Sequence, residues 1–275
     1  MKFAICNETF LDWPFDKAFA FAAECGYTGI EIAPFTIDKD ARRITPEKRL
    51  EVRREADAAG LAVVGLHWLL AKTEGFYLTS PDPAVRSRTA EYVQDLARLC
   101  RDLGGSIMVF GSPQQRNLLP GVSMDQAMDY AAEVFRACVP VFEETDVTLA
   151  IEPLGPTEGN FLNAAADARR LIEMVGSANF RLLLDCKAMW SESTPTPDLI
   201  RENGPLLAHF HANDPNLLGP GFGELDFRPV LAALGEIDYR GWVSVEVFDY
   251  SPGVERLARE SIDYMQQCLE ELAGA

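Results

Sequence analysis

Residues 207–214 read LAHFHAND. His209 and His211 sit two residues apart in this run, so in an extended strand both side chains fall on one face while Ala208, Phe210 and Ala212 fall on the other. They are two of the three histidines in the chain. Whether they form a packed detail or part of a site depends on what the rest of the fold places beside them.

Seven further short β-rich runs have the same character: KFAIC (2–6), GIEIAP (29–34), LAVVGLHW (61–68), SIMVFG (106–111), VTLAIEPL (147–154), FRLLLD (180–185) and WVSVEVF (242–248). Helical patterns lie between them. DKAFAFAAECG stops at Gly26, and PAVRSRTAEYVQDLARLCRDLGG carries apolar residues at i, i+3, i+4 and i+7, with MDQAMDYAAEVFRACVPVFEET and VERLARESIDYMQQCLEELAG alike. Repeated βα units imply parallel strands with right-handed crossovers, and eight of them imply a closed α/β barrel, (β/α)8, filling 1–275 as a single domain. The sixth and seventh units are the weakest, offering only short helices at PDLIREN and FRPVLAALGEI. A doubly wound open sheet would need a glycine fingerprint after its first strand, where this chain has NETFLDW.

Composition narrows the function classes. A formal charge of −17 and a pI near 4.6 argue against nucleic acid or an anionic membrane as a partner, since both require a basic surface. A neutral small substrate or a bound cation fits better. Cys6, Cys25, Cys100, Cys138, Cys186 and Cys268 are dispersed with no C-x-x-C pair, a pattern of reduced thiols rather than of a disulfide frame. The N-terminus lacks a continuous apolar segment and a small-residue cleavage site, which implies a cytoplasmic protein.

In such a barrel, alternate strand residues point inward and chemistry collects at the carboxyl ends of the strands. Glu152 shares the inward set of its strand with Thr148 and Ala150, and Glu246 shares its own with Ser244. Asp185 ends FRLLLD, and His211 follows His209 on the inward face of strand seven. Four consecutive strands therefore deliver Glu152, Asp185, His211 and Glu246 to one rim. Carboxylates facing one another there repel and lose hydration unless a cation or protons neutralise them. Three carboxylates and one imidazole form a mostly oxygen donor set, which suits Mn²⁺, Mg²⁺ or Co²⁺.

Other residues have plainer readings. His209, one layer deeper, reads as a core histidine or an orienting partner, and Glu31 as half of a structural ion pair. His67, at the rim of strand three, either polarises a substrate oxygen or caps a loop. RRITPEKRLEVRREAD reads as a solvated helix face. GPGFGELDF (219–227) reads as a turn-rich lid rather than a phosphate cradle, because neither a P-loop lysine nor a long helix follows it.

The stretches IEPLGPTEGNFLN, LLLD, HFHAND with GPGFGELDF, and VSVEVF resemble the sugar phosphate isomerase/epimerase superfamily with its xylose isomerase-like TIM barrel, and the resemblance covers essentially the whole chain. It implies one divalent ion, Mn²⁺ first and Mg²⁺ or Co²⁺ next, held by Glu152, Asp185, His211 and Glu246. It also implies that Glu152 and Glu246 act as the acid/base pair and that Glu158, six residues after Glu152, contacts sugar hydroxyls. The chain departs from the ketose 3-epimerases of that family at Ala188 and Leu217, where they carry His and Arg. GLHWLL, VFGSPQQR and HANDPNLLGPGFGELDF are more similar to a branch with 3-keto-glycoside epimerases and the barrel subunits of C-glycoside deglycosidases. That likeness puts His67, Arg116 and Asn213 at the substrate. Its implied partners are a keto-sugar or 3-keto-glycoside and either a second copy or a second subunit, with no nucleic acid and no membrane.

The shared chemistry is proton abstraction beside a carbonyl, through an enediolate. Return of the proton to the opposite face epimerises, return to the adjacent carbon isomerises, and a β leaving group would be eliminated, giving a lyase or deglycosidase. A non-catalytic sugar-binding homologue is the alternative outside catalysis. A DNA-repair endonuclease of the same fold would need a trinuclear zinc site richer in histidine than this chain.

Overall fold

In the computed structural model, which describes residues 1–274, each of the eight runs contains a strand; Ala275, the last residue of the expected domain span, lies outside the described residues. The order is β1 (Lys2–Cys6), α1 (Phe15–Cys25), β2 (Gly29–Ile32), α2 (Pro46–Ala59), β3 (Ala62–Leu66), α3 (Pro83–Leu103), β4 (Ile107–Phe110), α4 (Met124–Thr145), β5 (Thr148–Ile151), α5 (Ala165–Val175), β6 (Phe180–Asp185), α6 (Cys186–Met189), α7 (Thr196–Asn203), β7 (Leu207–Ala212), α8 (Phe227–Glu236), β8 (Trp242–Val245) and α9 (Val254–Gly274). Every strand pairs in parallel with its sequence neighbours, and β8 returns to β1 through Lys2↔Trp242 to Ile5↔Val245. The sheet is a closed barrel. No edge strand is left to pair elsewhere.

Local signals set the helix limits. Gly26 ends α1 at φ 105°, a left-handed value that glycine adopts without a Cβ penalty. Ser123 and Gln126 form a reciprocal capping box at the start of α4. The sixth unit is richer than its sequence suggests. A four-residue turn, α6, begins directly after Asp185 and precedes α7.

Apolar side chains such as Phe19, Phe110, Phe135, Phe180 and Phe210 are fully buried, within the main core cluster. A second, smaller cluster of Val109, Ala150 and Leu183 packs with Ile107 and Ala208. Glu31, His67, His209, His211 and Ser244 are also fully buried. Two register shifts accompany this polar set. Pairing passes from Ile30↔Val63 to Glu31↔Gly65, and from Leu182↔Leu207 to Leu183↔His209, each skipping one residue of the second strand. Such bulges re-aim side chains near functional sites. Here they flank Glu31 and His209, whose side chains meet at 2.7 Å.

Several strands stop earlier than their apolar runs do. His67, Glu152, Asn213 and Glu246 each stand one residue beyond the last paired residue of β3, β5, β7 and β8. The main chains of Glu152 and Glu246 still donate to Phe110 O and Ala212 O, both at 3.2 Å. The two glutamates are thus tied to the barrel while their side chains reach its rim. All six cysteines are buried and free, and among the described residues no helix is long and apolar enough to cross a membrane.

Candidate active site and metal centre

Glu152, Asp185, His211 and Glu246 converge. One donor atom from each lies within 4.8 Å of all the others, and all four residues are buried. Each residue has a local anchor. Asp185 Oδ1 accepts from Ala188 N at 2.8 Å, capping α6, while its Oδ2 accepts from the Asn213 amide. His211 Nδ1 lies 3.0 Å from Glu246 Oε2, and its Nε2 lies 3.2 Å from Glu31 Oε1. Glu246 Oε1 accepts from the Trp68 indole at 2.7 Å.

This set fits a divalent cation. Burial pushes the Glu152 carboxyl well above its ordinary value, and the charges of Asp185 and Glu246 push it further. Burial also raises Asp185, more than nearby Lys187 lowers it. Burial would raise Glu246 too, but the His211 imidazole outweighs it and brings that carboxyl to about 2. Three carboxylates so crowded call for a shared counter-charge. His211 offers its Nδ1 side to the cluster with Glu31 against its other nitrogen, the carboxylate–imidazole arrangement that fixes a metal-binding histidine. Cys6, Glu8, His67 and Glu246 form a second group of closely spaced donor atoms. There His67 Nε2 and Glu8 Oε2 already close on each other at 2.6 Å, and burial with the Glu31 charge holds the Cys6 thiol well above its ordinary value. The first group is the better cation site.

A cavity of about 450 Å³ opens over this cluster, lined by Glu152, Glu246, His67, Trp68, Glu158 and Lys187 among others. Trp68 and Phe248 form part of its wall, their ring centres 6.2 Å apart and 26° from parallel. Trp68 sits at φ 52°, a left-handed value rare for a bulky side chain and the kind of strain found at functional sites. Gly111 is required by the glutamate beside it, because a Cβ there would stand 1.8 Å from Glu152 Oε2.

Not every expected contact lies at the cavity. Arg116, expected at the substrate, is 1 % exposed and is not among the lining residues. Its guanidinium donates to the carbonyls of Phe110, Glu152, Phe161 and Leu162, which ties the β4 end to the β5–α5 loop. Asn213, also expected at the substrate, is fully buried; it donates to Asp185 and accepts from Lys187 N at 2.8 Å. It orients Asp185 instead. GPGFGELDF is no lid, since none of its residues lines the cavity. Asp214 accepts from Leu225 N, and Tyr264 packs against Gly221 so closely that a Cβ there would lie 2.8 Å from its ring. Glu158 and His67 do line the cavity, and Glu31 pairs with His209 and His211.

Three site residues escaped the sequence reading: Glu8, Trp68 and Lys187. Burial works against charge on Lys187, but Asp185 and Glu158 outweigh it and raise its pKa. Position past a strand end was available as a signal for Trp68 only.

Comparison with known proteins places this geometry among relatives. The description "Xylose isomerase-like TIM barrel" matches residues 19–268. A D-psicose 3-epimerase of Enterocloster bolteae is 30% identical over 74% of this chain and 67% of its own length. A D-psicose 3-epimerase of Agrobacterium fabrum is 29% identical over 82% and 76%. The crystal structure of a 3-keto-D-glucoside 4-epimerase from E. coli superposes with a TM-score of 0.85 over 98% of this chain and 100% of that one, at 22% identity.

Proposed function

The chain belongs to the xylose isomerase-like TIM barrel family, and we propose that it is a divalent-metal-dependent epimerase of a keto-sugar, favouring a 3-keto-glycoside over a free ketohexose. The observation that carries the reading is the convergence of Glu152, Asp185, His211 and Glu246 beneath a cavity that both glutamates line. The names of the related epimerases support the reaction class.

The four side chains would hold the cation, with manganese our first choice for an oxygen-rich set. The ion supplies Lewis-acid polarisation of a substrate carbonyl. Glu246 removes the proton from the neighbouring carbon, and Glu152 returns one to the opposite face. Glu31 holds His211 from behind, and Asn213 and Ala188 hold Asp185, so the cluster keeps its geometry while protons move. Trp68 donates to one Glu246 oxygen and leaves the other facing His211.

The preference follows from two positions. Ala188 is buried with its N–H given to Asp185, and Leu217 is 44% exposed and outside the cavity lining. Neither offers a side-chain hydrogen bond to a free ketohexose. Each lost bond of that kind costs about 1 to 3 kcal/mol. Turnover of D-psicose, D-fructose and methyl 3-keto-D-glucoside by metal-loaded protein tests the reading. Cation-dependent epimerisation with the keto-glycoside preferred is expected. A strong preference for the free ketohexose would refute the specificity, and no turnover on any of them would refute the activity.

A further inference from the structure

The proposed proton transfers leave one charged side chain in the cavity without a task. Lys187 lines it, with its side chain 12% exposed and its Nζ 2.6 Å from Glu158 Oε1. The same Nζ stands 4.1 Å from the centre of the Phe248 ring, so the ammonium lies between an acid and an aromatic face. The other lining lysine, Lys72, is exposed and lies over Phe35 at 4.0 Å. Glu158 is the hydrogen-bond partner that the structure gives Lys187, and an ammonium carries three donors. Glu158 Oε2 accepts from Gly155 N at 3.3 Å, and Oε1 takes the lysine.

We propose that Lys187 and Glu158 form one binding subsite for two neighbouring hydroxyls of a neutral sugar, the ammonium donating to one oxygen and the carboxylate accepting from the next. A hydroxyl both donates and accepts, so a vicinal diol satisfies an acid–ammonium pair from both ends. A phosphate or carboxylate on the substrate fits badly. It would meet Glu158 beside the lysine, with Glu152 and Glu246 lining the same cavity. Phe248 offers the C–H face of a sugar an apolar surface next to the ammonium. The subsite also accounts for Ala188: the side chain one position earlier enters the cavity and supplies a donor that neither Ala188 nor Leu217 can. The inference rests on the proposed sugar substrate and deepens it.

The test is a cycle between residue and hydroxyl. Methyl 3-keto-D-glucoside and D-psicose, with analogues each lacking one hydroxyl, are assayed against wild type, Lys187→Met, Lys187→Arg and Glu158→Gln at equal metal content. Wild type should discriminate against one analogue by about ten- to a hundredfold in kcat/KM, the strength of a hydrogen bond to a charged group. Lys187→Met should fall on the parent sugar to that same level, mostly through KM, and treat parent and analogue alike. Lys187→Arg should recover part of the discrimination. Glu158→Gln, which keeps its size and guards against a folding failure of the Met variant, should lose discrimination at the adjacent hydroxyl. Wild-type discrimination retained by both Lys187→Met and Glu158→Gln would overturn the subsite while leaving the epimerase reading intact. Preference of wild type for a phosphorylated analogue of either parent would overturn it as well. Failure of wild type to bind or turn over either sugar would overturn the function and the subsite together.

Discussion

Glu31 is the residue on which three imidazole-bearing strands depend. Its carboxylate lies 2.7 Å from His209 Nε2 and 3.2 Å from His211 Nε2, and 3.9 Å from His67 Nδ1. Burial would raise its pKa, but the imidazoles of His209 and His211 outweigh burial and hold it well below the ordinary 4.5. A depressed carboxyl contributes stability fully above its unfolded pKa and loses it as pH falls through the folded one. Glu31→Gln should therefore destabilise by about 3 kcal/mol in neutral denaturant titrations, with the gap to wild type narrowing in acid. It should also weaken cation affinity about ten- to a hundredfold, since the His211 ring loses its anchor. Gly111→Ala is the complementary case. Its new methyl would displace the Glu152 carboxylate rather than the fold, so a near-normal melt should accompany a turnover loss on the order of a hundredfold. Wild-type activity in that variant would show that Glu152 does not act from its present position. At this scale the sequence was informative wherever a side chain follows strand alternation, which is why Glu152, Asp185, His211 and Glu246 could be read from it. Arg116 could not, because its loop turns the guanidinium inward onto carbonyls that are far apart in sequence. Lys187 could not, because its place is set by the turn that Asp185 caps.

Elements carried their own signals, and these were reliable where capping chemistry is local. The α4 box is an example: Ser123 Oγ accepts from Gln126 N at 3.3 Å, and Gln126 Oε1 accepts from Ser123 N at 3.0 Å. Ser123→Ala should lower unfolding free energy by about 1 kcal/mol and leave turnover unchanged, because α4 carries none of the cavity residues. A lost activity at full stability would mean that α4 positions the site in a way its contacts do not reveal. Strand ends were less legible than strand middles. Apolar runs continue past the last ladder bond, so LAVVGLHW and VTLAIEPL look longer than β3 and β5 are. The bulges that pair Glu31 with Gly65 and Leu183 with His209 have no local sequence mark, since both follow from packing across the barrel. GPGFGELDF misled for a similar reason. Its glycines admit close approach by Asp214, Ser261 and Tyr264 rather than freedom to move over the cavity.

On the scale of the whole molecule, the eightfold alternation of strand and helix made the closed barrel legible, because parallel neighbours need crossovers and eight of them leave no edge. Closure puts Glu152 and Glu246 from strands that are not neighbours at one rim beside one cavity. The central claim is that Glu246 takes a proton from the carbon beside a substrate carbonyl. Solvent deuterium incorporation at that carbon, measured in Glu246→Gln with its cation content verified in the same sample, tests it most directly. The account predicts that the variant retains the cation and that exchange and turnover fall together, by on the order of a hundredfold or more. Exchange at the wild-type rate in a cation-loaded Glu246→Gln protein would contradict it and move the base to another residue of the cavity.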